Sequence, residues 1–263
     1  MFKGKGPSGF GYGSSAEDVT HGLDLAGRTI LVTGSNSGIG HETLRGLAKR
    51  GAHVIAAART VQKAQAACDG VVGETTAIAC ELSEPASVRA CAAEVAALGR
   101  PPDAIICNAG IRALPKLNQQ HGCEAQFFTN PNLSGERGYS PWANYGQSKL
   151  ANVLFANELA KRLSGTGKTA NSGHPGVIHT NLARSMNPIA RVPLSIGAPL
   201  VLKSVGEGAA TQCYLAVNPS GGGVSGKYFA DCNEARPSSH GRDEAMAAKL
   251  WEVSQQIVAE VTA

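Results

Sequence analysis

The chain has 263 residues, 43% of them hydrophobic and 17% charged, which fits one large folded domain with a full core and excludes a disordered chain. A formal net charge of +4, with Lys and Arg scattered rather than blocked, gives no footprint for nucleic acid. Seven cysteines without Cys-x-x-Cys spacing, several in apolar runs, read as reduced core thiols of a cytoplasmic protein rather than as a metal site.

No apolar stretch reaches membrane-spanning length. Residues 1–22 start rich in Gly and Ser and carry no apolar signal core, so they read as a flexible extension before a single domain over 23–263. From there strands and helices alternate. Arg28 to Thr33 is a buried-strand run, and Ile39 to Arg50 a helix closed by Gly51. His53 to Ala58 is a strand, Val61 to Cys68 a helix, and Thr75 to Cys80 a third strand. Pro85 opens a helix to about Leu98 that Ser83 is placed to cap, and Asp103 to Cys107 is a fourth strand. This alternation predicts an α/β fold, a Rossmann-like doubly wound parallel sheet.

After the fourth strand the rhythm breaks. Glu124 to Asn130 reads as helical, residues 131–138 as a loop, and Pro141 to Leu163 as a long helix. Two helices follow one another with no strand between, although a parallel crossover must return to the sheet. Thr169 to His174 and Gly226 to Ala230 are further strands, and Gly206 to Ala216 and Asp243 to Val261 the closing helices.

Two motifs carry chemistry. Thr33-Gly34-Ser35-Asn36-Ser37-Gly38-Ile39-Gly40 lies where the first strand turns into the first helix. Glycines there let the backbone approach a pyrophosphate, and the helix start supplies N–H donors. The second strand ends Ala58-Arg59-Thr60 with no acid for a ribose 2′-OH. Arg59 instead suits a 2′-phosphate, which favours NADP(H) over NAD(H); a solvated surface Arg is the other reading. Farther on, Tyr145 and Lys149 stand four apart on one helix face, where the ammonium can favour the ionised phenol. Such a Tyr suits proton transfer in alcohol and carbonyl chemistry.

The Gly-rich turn, Asn108-Ala109-Gly110, Tyr145 with Lys149, and Pro175-Gly176 with Thr180 follow in that order. Together they resemble the short-chain dehydrogenase/reductase family over roughly residues 23–262. Gly138 to Trp142 and Ser225 to Phe229 resemble its retinol dehydrogenase and WW-domain oxidoreductase branch. The resemblance implies that Gly34, Ser35, Asn36, Ser37, Gly38, Ile39 and Gly40 line the pyrophosphate and Arg59 holds the 2′-phosphate. Glu81, where the family has an Asp, and Leu82 would lie near the adenine. Asn108, Ala109 and Gly110 would stand behind the nicotinamide ribose, and Pro175, Gly176, Ile178 and Thr180 would close over the nicotinamide. It implies Tyr145 as general acid and base, Lys149 as its partner on the ribose, and Asn130 as the end of a proton relay. The implied substrate is a small alcohol, aldehyde or ketone, and the implied assembly a homodimer through the Tyr145 helix and its predecessor.

One member of the family's site has no counterpart. A Ser at the end of a fifth strand should stand between Asn130 and Tyr145, which are only 15 residues apart here. Ser134 and Ser140 are the serines of that interval, and both suit loop or cap roles. Unpartnered buried backbone groups cost about 1–3 kcal/mol each. Either the sheet closes by a different pairing, or the chain lacks residues of the natural protein. Three functions stand: an NADP(H)-dependent oxidoreductase, an impaired nucleotide-binding scaffold, or a chain that fails to fold. The segment from Arg184 to Val205 is apolar and suggests a moderately apolar substrate, as ordinary core packing would also explain.

Overall fold

Thr29–Thr33, strand β1, is buried at every position, as a strand covered on both faces must be. In the computed structural model, which describes residues 4–110, 119–120, 123–124, 140–178 and 202–262, it forms the middle of a parallel sheet. Its neighbours are β2 (His53–Ala58) and β4 (Ala104–Ile106), and β3 (Thr75–Ala79) lies beyond β2, giving the order β3-β2-β1-β4. Register runs Thr29 to His53 and Ile30 to Ala104.

Helices cover both faces. Ile30, Val32, Val54 and Ala56 point one way, toward Leu44 and Leu47 of α2 (Gly38–Ala48) and Ala209, Ala210 and Cys213 of α6 (Val205–Val217). Leu31, Ile55 and Ile78 point the other way, toward Cys91 and Val95 of α4 (Pro85–Ala97). Alternation along each strand produces the two layers. Helix α3 (Val61–Cys68) starts at Thr60, whose side chain accepts from Lys63 N. Helix α5 (Pro141–Arg162) opens on a proline, whose fixed φ suits a first helical turn. It packs through Leu150, Ala151 and Leu154 on Ala247 and Leu250 of the last helix, α7 (Glu244–Thr262).

The second half of the sheet is separate. Strand β7 (Ser172–His174) pairs parallel with β8 (Tyr228–Ala230), which pairs antiparallel with β9 (Asn233–Ala235). Among the described residues no strand joins β4 to β7. Gln119–Gln120 (β5) and Cys123–Glu124 (β6) pair only with each other. Ile105, in the middle of β4, is consequently 62% exposed. Helix α6 connects the parts: its neighbouring residues Gln212 and Thr211 bond Asn108 and Cys232 respectively.

Several expectations are corrected. Residues 4–22, read as a loose extension, are packed. Phe10 meets Tyr214 edge to face at 5.9 Å, and its carbonyl accepts from Asn233 Nδ2 at 3.0 Å. Helix α1 (Ala16–Thr20) carries a capping box, Ser15 with Asp18, and buries Ala16 and Val19. Ser83 does not cap α4; its hydroxyl donates to Glu81 Oε1 at 2.8 Å, and Glu84 holds the N-cap position without a side-chain capping bond to the helix. Glu124, expected to begin a helix, lies in β6; the rest of that expected helix is outside the described residues. Six cysteines are free thiols among the described side chains, and burial pushes Cys91 and Cys213 up to about 12.

Candidate active site

The Gly-rich turn leaves β1 at Gly34, whose N–H donates to Ala57 O at 2.8 Å. A Cβ on Gly34 would lie 2.8 Å from Ala109 Cα, and one on Gly40 would run into the Gly34 carbonyl and, at 2.5 Å, Asn108 Nδ2. Glycine is therefore demanded here by close backbone approach as well as by the turn. Ser35 is buried and bonds Ala57 O, whereas Asn36, Ser37 and Gly38 are exposed. Ser37 holds the N-cap of α2 with no side-chain capping bond, so its hydroxyl does not occupy the first N–H groups of that helix. A turn stripped of side chains at a helix start fits the pyrophosphate of a dinucleotide.

Asn108 braces this turn from β4. Its Nδ2 donates to Thr33 O at 2.9 Å, and Ala109 N donates to Thr33 Oγ1 at 3.1 Å. Gln212 of α6, which the sequence reading did not single out, bonds both Asn108 Oδ1 and Thr43 Oγ1. A lone Gln on an otherwise small and apolar helix face was the signal available. At the other edge of the turn, Arg59 ends β2 exposed, with no ion pair among the described residues. Glu81 is occupied locally, accepting from Ser83 N and Oγ, and Leu82 beside it is exposed.

Lys149 reaches this region from α5. A Cβ on Gly110 would lie 3.3 Å from Lys149 Nζ, and the same Nζ stands 5.3 Å from the centre of the Tyr145 ring. Lys149 is exposed as a residue, and the desolvation it does undergo pulls the ammonium pKa below the ordinary lysine value. Tyr145 is half-buried, flanked edge-on by Trp142 at 6.4 Å.

Pro175 and Gly176 follow β7. Ile178 is buried where a Cβ on Gly208 would meet its Cγ1 at 3.0 Å and Ile39 Cγ1 at 3.4 Å. The Pro-Gly segment thus stands over the start of α2. Asn130, Thr180, Ser134 and residues 179–201 lie outside the described residues; Ser140 is described and is the N-cap of α5.

A parallel sheet with a bare glycine turn, an Asn brace and a Tyr/Lys pair at its carboxyl ends defines a dinucleotide-binding oxidoreductase domain. Residues 28–132 match the family described as short chain dehydrogenase. Short-chain dehydrogenase TIC 32 B, chloroplastic, from Brassica napus is 36% identical over 312 residues, covering 98% of this chain and 97% of that protein. Retinol dehydrogenase 14 from Homo sapiens is 33% identical over 292 residues, covering 89% and 87%. A crystal structure of an uncharacterized protein from Mycobacterium paratuberculosis superposes with TM-score 0.75 at 30% identity, covering 94% and 98%. The chain belongs to the short-chain dehydrogenase family, on the side of its retinol dehydrogenases.

The rapeseed alignment spans 312 positions while 98% of 263 residues take part, so about 54 positions of that protein face no residue here. The family match itself ends at residue 132, inside the interval that is short between Asn130 and Tyr145.

Proposed function

We propose that this chain is an NADP(H)-dependent oxidoreductase acting on a small alcohol, aldehyde or ketone, with Tyr145 as acid in reduction and base in oxidation. The observation that carries the reading is the place of Lys149, whose ammonium lies at Gly110 and over the Tyr145 ring. The cofactor end and the proton donor thereby share one charge. Bound nicotinamide supplies or accepts the hydride. The protein's part is to hold it: the Gly34–Gly40 turn and α2 take the pyrophosphate, and Arg59 takes the 2′-phosphate. Lys149 binds the ribose and stabilises negative charge on the Tyr145 oxygen as its proton leaves. Free thiols agree with a reducing compartment, and we assign the chain to the cytoplasm. We assign it a homodimer as its working state, paired along the α5 side.

NADPH fluorescence titration beside turnover of a panel of aldehydes and ketones tests the reading. Turnover is expected, falling by about 10²–10⁴ in Tyr145→Phe while NADPH affinity is kept. A second reading, a nucleotide-binding scaffold of little activity, is favoured by the open edge of β4 and exposed Ile105. Without a positioned Ser donor, turnover would drop by roughly 10²–10³. Binding with no turnover on any substrate decides for the scaffold. Absence of both binding and a cooperative melt decides against either.

A further inference from the structure

The most deeply buried charge among the described residues lies outside the site described above. Lys203, two residues before α6, is 1% exposed. Its Nζ lies 2.6 Å from Asp231 Oδ1 and 4.9 Å from the centre of the Tyr12 ring. An ammonium removed from water is costly unless paired, so its retention asks what the pair holds in place.

Asp231 is itself fixed. With Cys232 it forms the two-residue connection between β8 and β9, and both have left-handed backbones, φ 53° and 62°. This is the turn whose twist matches a hairpin, made without the usual glycine. Cys232 N donates to Thr211 Oγ1 at 3.2 Å, and Asn233 Nδ2 donates to Asp231 O at 2.7 Å. The carboxylate therefore sits on a rigid corner tied to α6.

Lys203 connects that corner to the Pro-Gly segment. Its backbone N–H donates to Val177 O at 2.9 Å, and it bridges Ile178 in parallel register. Its stem lies flat on Gly176, where a Cβ would come within 2.7 Å of Lys203 Cδ. Gly176 has φ 84°, so neither the space nor the backbone admits a side chain. Ile178, two residues on, borders with Ile39 of α2 the space that a side chain on Gly208 would take.

We infer that Lys203, through its ion pair with Asp231, is a positioning residue for the nicotinamide half of the bound dinucleotide. It backs Pro175–Ile178 from below and so sets how closely that segment approaches the ring. This rests on the nicotinamide reading under Proposed function. A charge that served the core in general would affect all nucleotide binding alike; one that sets this segment acts on one end of the ligand.

Two ligands separate the ends: NADPH, and 2′-phospho-ADP-ribose, which lacks the nicotinamide. Their dissociation constants are measured by calorimetry for the wild type, Lys203→Met and Asp231→Asn, with melting midpoints as the check on folding. Both variants are expected to weaken NADPH about tenfold, roughly one hydrogen bond lost, and 2′-phospho-ADP-ribose by less than about twofold. If Lys203→Met does not fold, the near-isosteric Asp231→Asn carries the measurement. Equal weakening of both ligands, or of neither, overturns the inference while leaving the cofactor reading intact. A wild type that binds neither ligand overturns the cofactor reading and the inference with it.

Discussion

Under the proposed function, cofactor choice comes down to one guanidinium, that of Arg59. It stands exposed at the end of β2 with no ion pair among the described residues, at the edge of the turn that would carry the adenosine phosphates. Arg59→Ala is expected to raise the Kd for NADPH by about 10- to 100-fold and leave NADH within about threefold, because a charge-assisted bond is worth roughly 1.5–3 kcal/mol. Parallel titrations with the two cofactors read this directly; equal losses for both would show that Arg59 does not face the 2′-phosphate. The close approach of Gly34 and Gly40 to Asn108-Ala109 and the pairing of Tyr145 with Lys149 were legible because a glycine turn and one helical face encode them. Gln212 and Lys203 were not. Their partners Asn108, Thr43 and Asp231 come from distant parts of the chain, and nothing local marks a Gln or a Lys as buried.

Elements were legible where apolar runs are continuous. β2 and α3 fall on the expected residues, and most other boundaries differ by one to three residues, the usual fraying of ends. The β8–β9 hairpin was missed because Asp231-Cys232 carries no Gly or Asn to announce the turn. Helix α1 was missed because five residues give too short a period, although its Ser15/Asp18 box is present in sequence. The sequence leaves no strand to follow β4, and its outer edge has no partner among the described residues. Adjacent positions there should respond in opposite ways. Ile106→Ala, facing the core, is expected to cost about 2–4 kcal/mol in denaturant unfolding. Ile105→Lys is expected to stay within about 0.5 kcal/mol and to reduce light scattering on heating, since a lysine on an open strand discourages edge-to-edge pairing. A large loss from Ile105→Lys would mean that β4 is covered in solution.

On the scale of the whole molecule, residues 8–12 close over α6 and the β8–β9 hairpin. Phe10 rests on Tyr214, Ser8 N donates to Asn233 Oδ1 at 3.0 Å, and Tyr12 lies against Lys203. Deleting residues 1–14 is therefore expected to lower the melting midpoint by about 5–10 °C, from the loss of one half-buried aromatic and its neighbours. An unchanged midpoint in differential scanning calorimetry would return these residues to the status of a loose tail. Composition suggested such a tail because Gly and Ser dominate it, and a single well-placed Phe outweighs them.

The joint between the two sheets has a consequence for how far this chain can change. Where strands are zipped by backbone bonds, most side chains can be exchanged without opening the zip. Here α6 does part of that work, with Thr211 on the hairpin, Gln212 on the nucleotide turn, and Gly208, Ala209 and Ala210 buried between. Each of these positions meets two surfaces at once, so a larger side chain cannot be absorbed by shifting toward either. Freedom to drift is thereby small along the buried face of Val205–Val217, where Gly208, Ala209, Ala210 and Thr211 leave no room for a larger side chain.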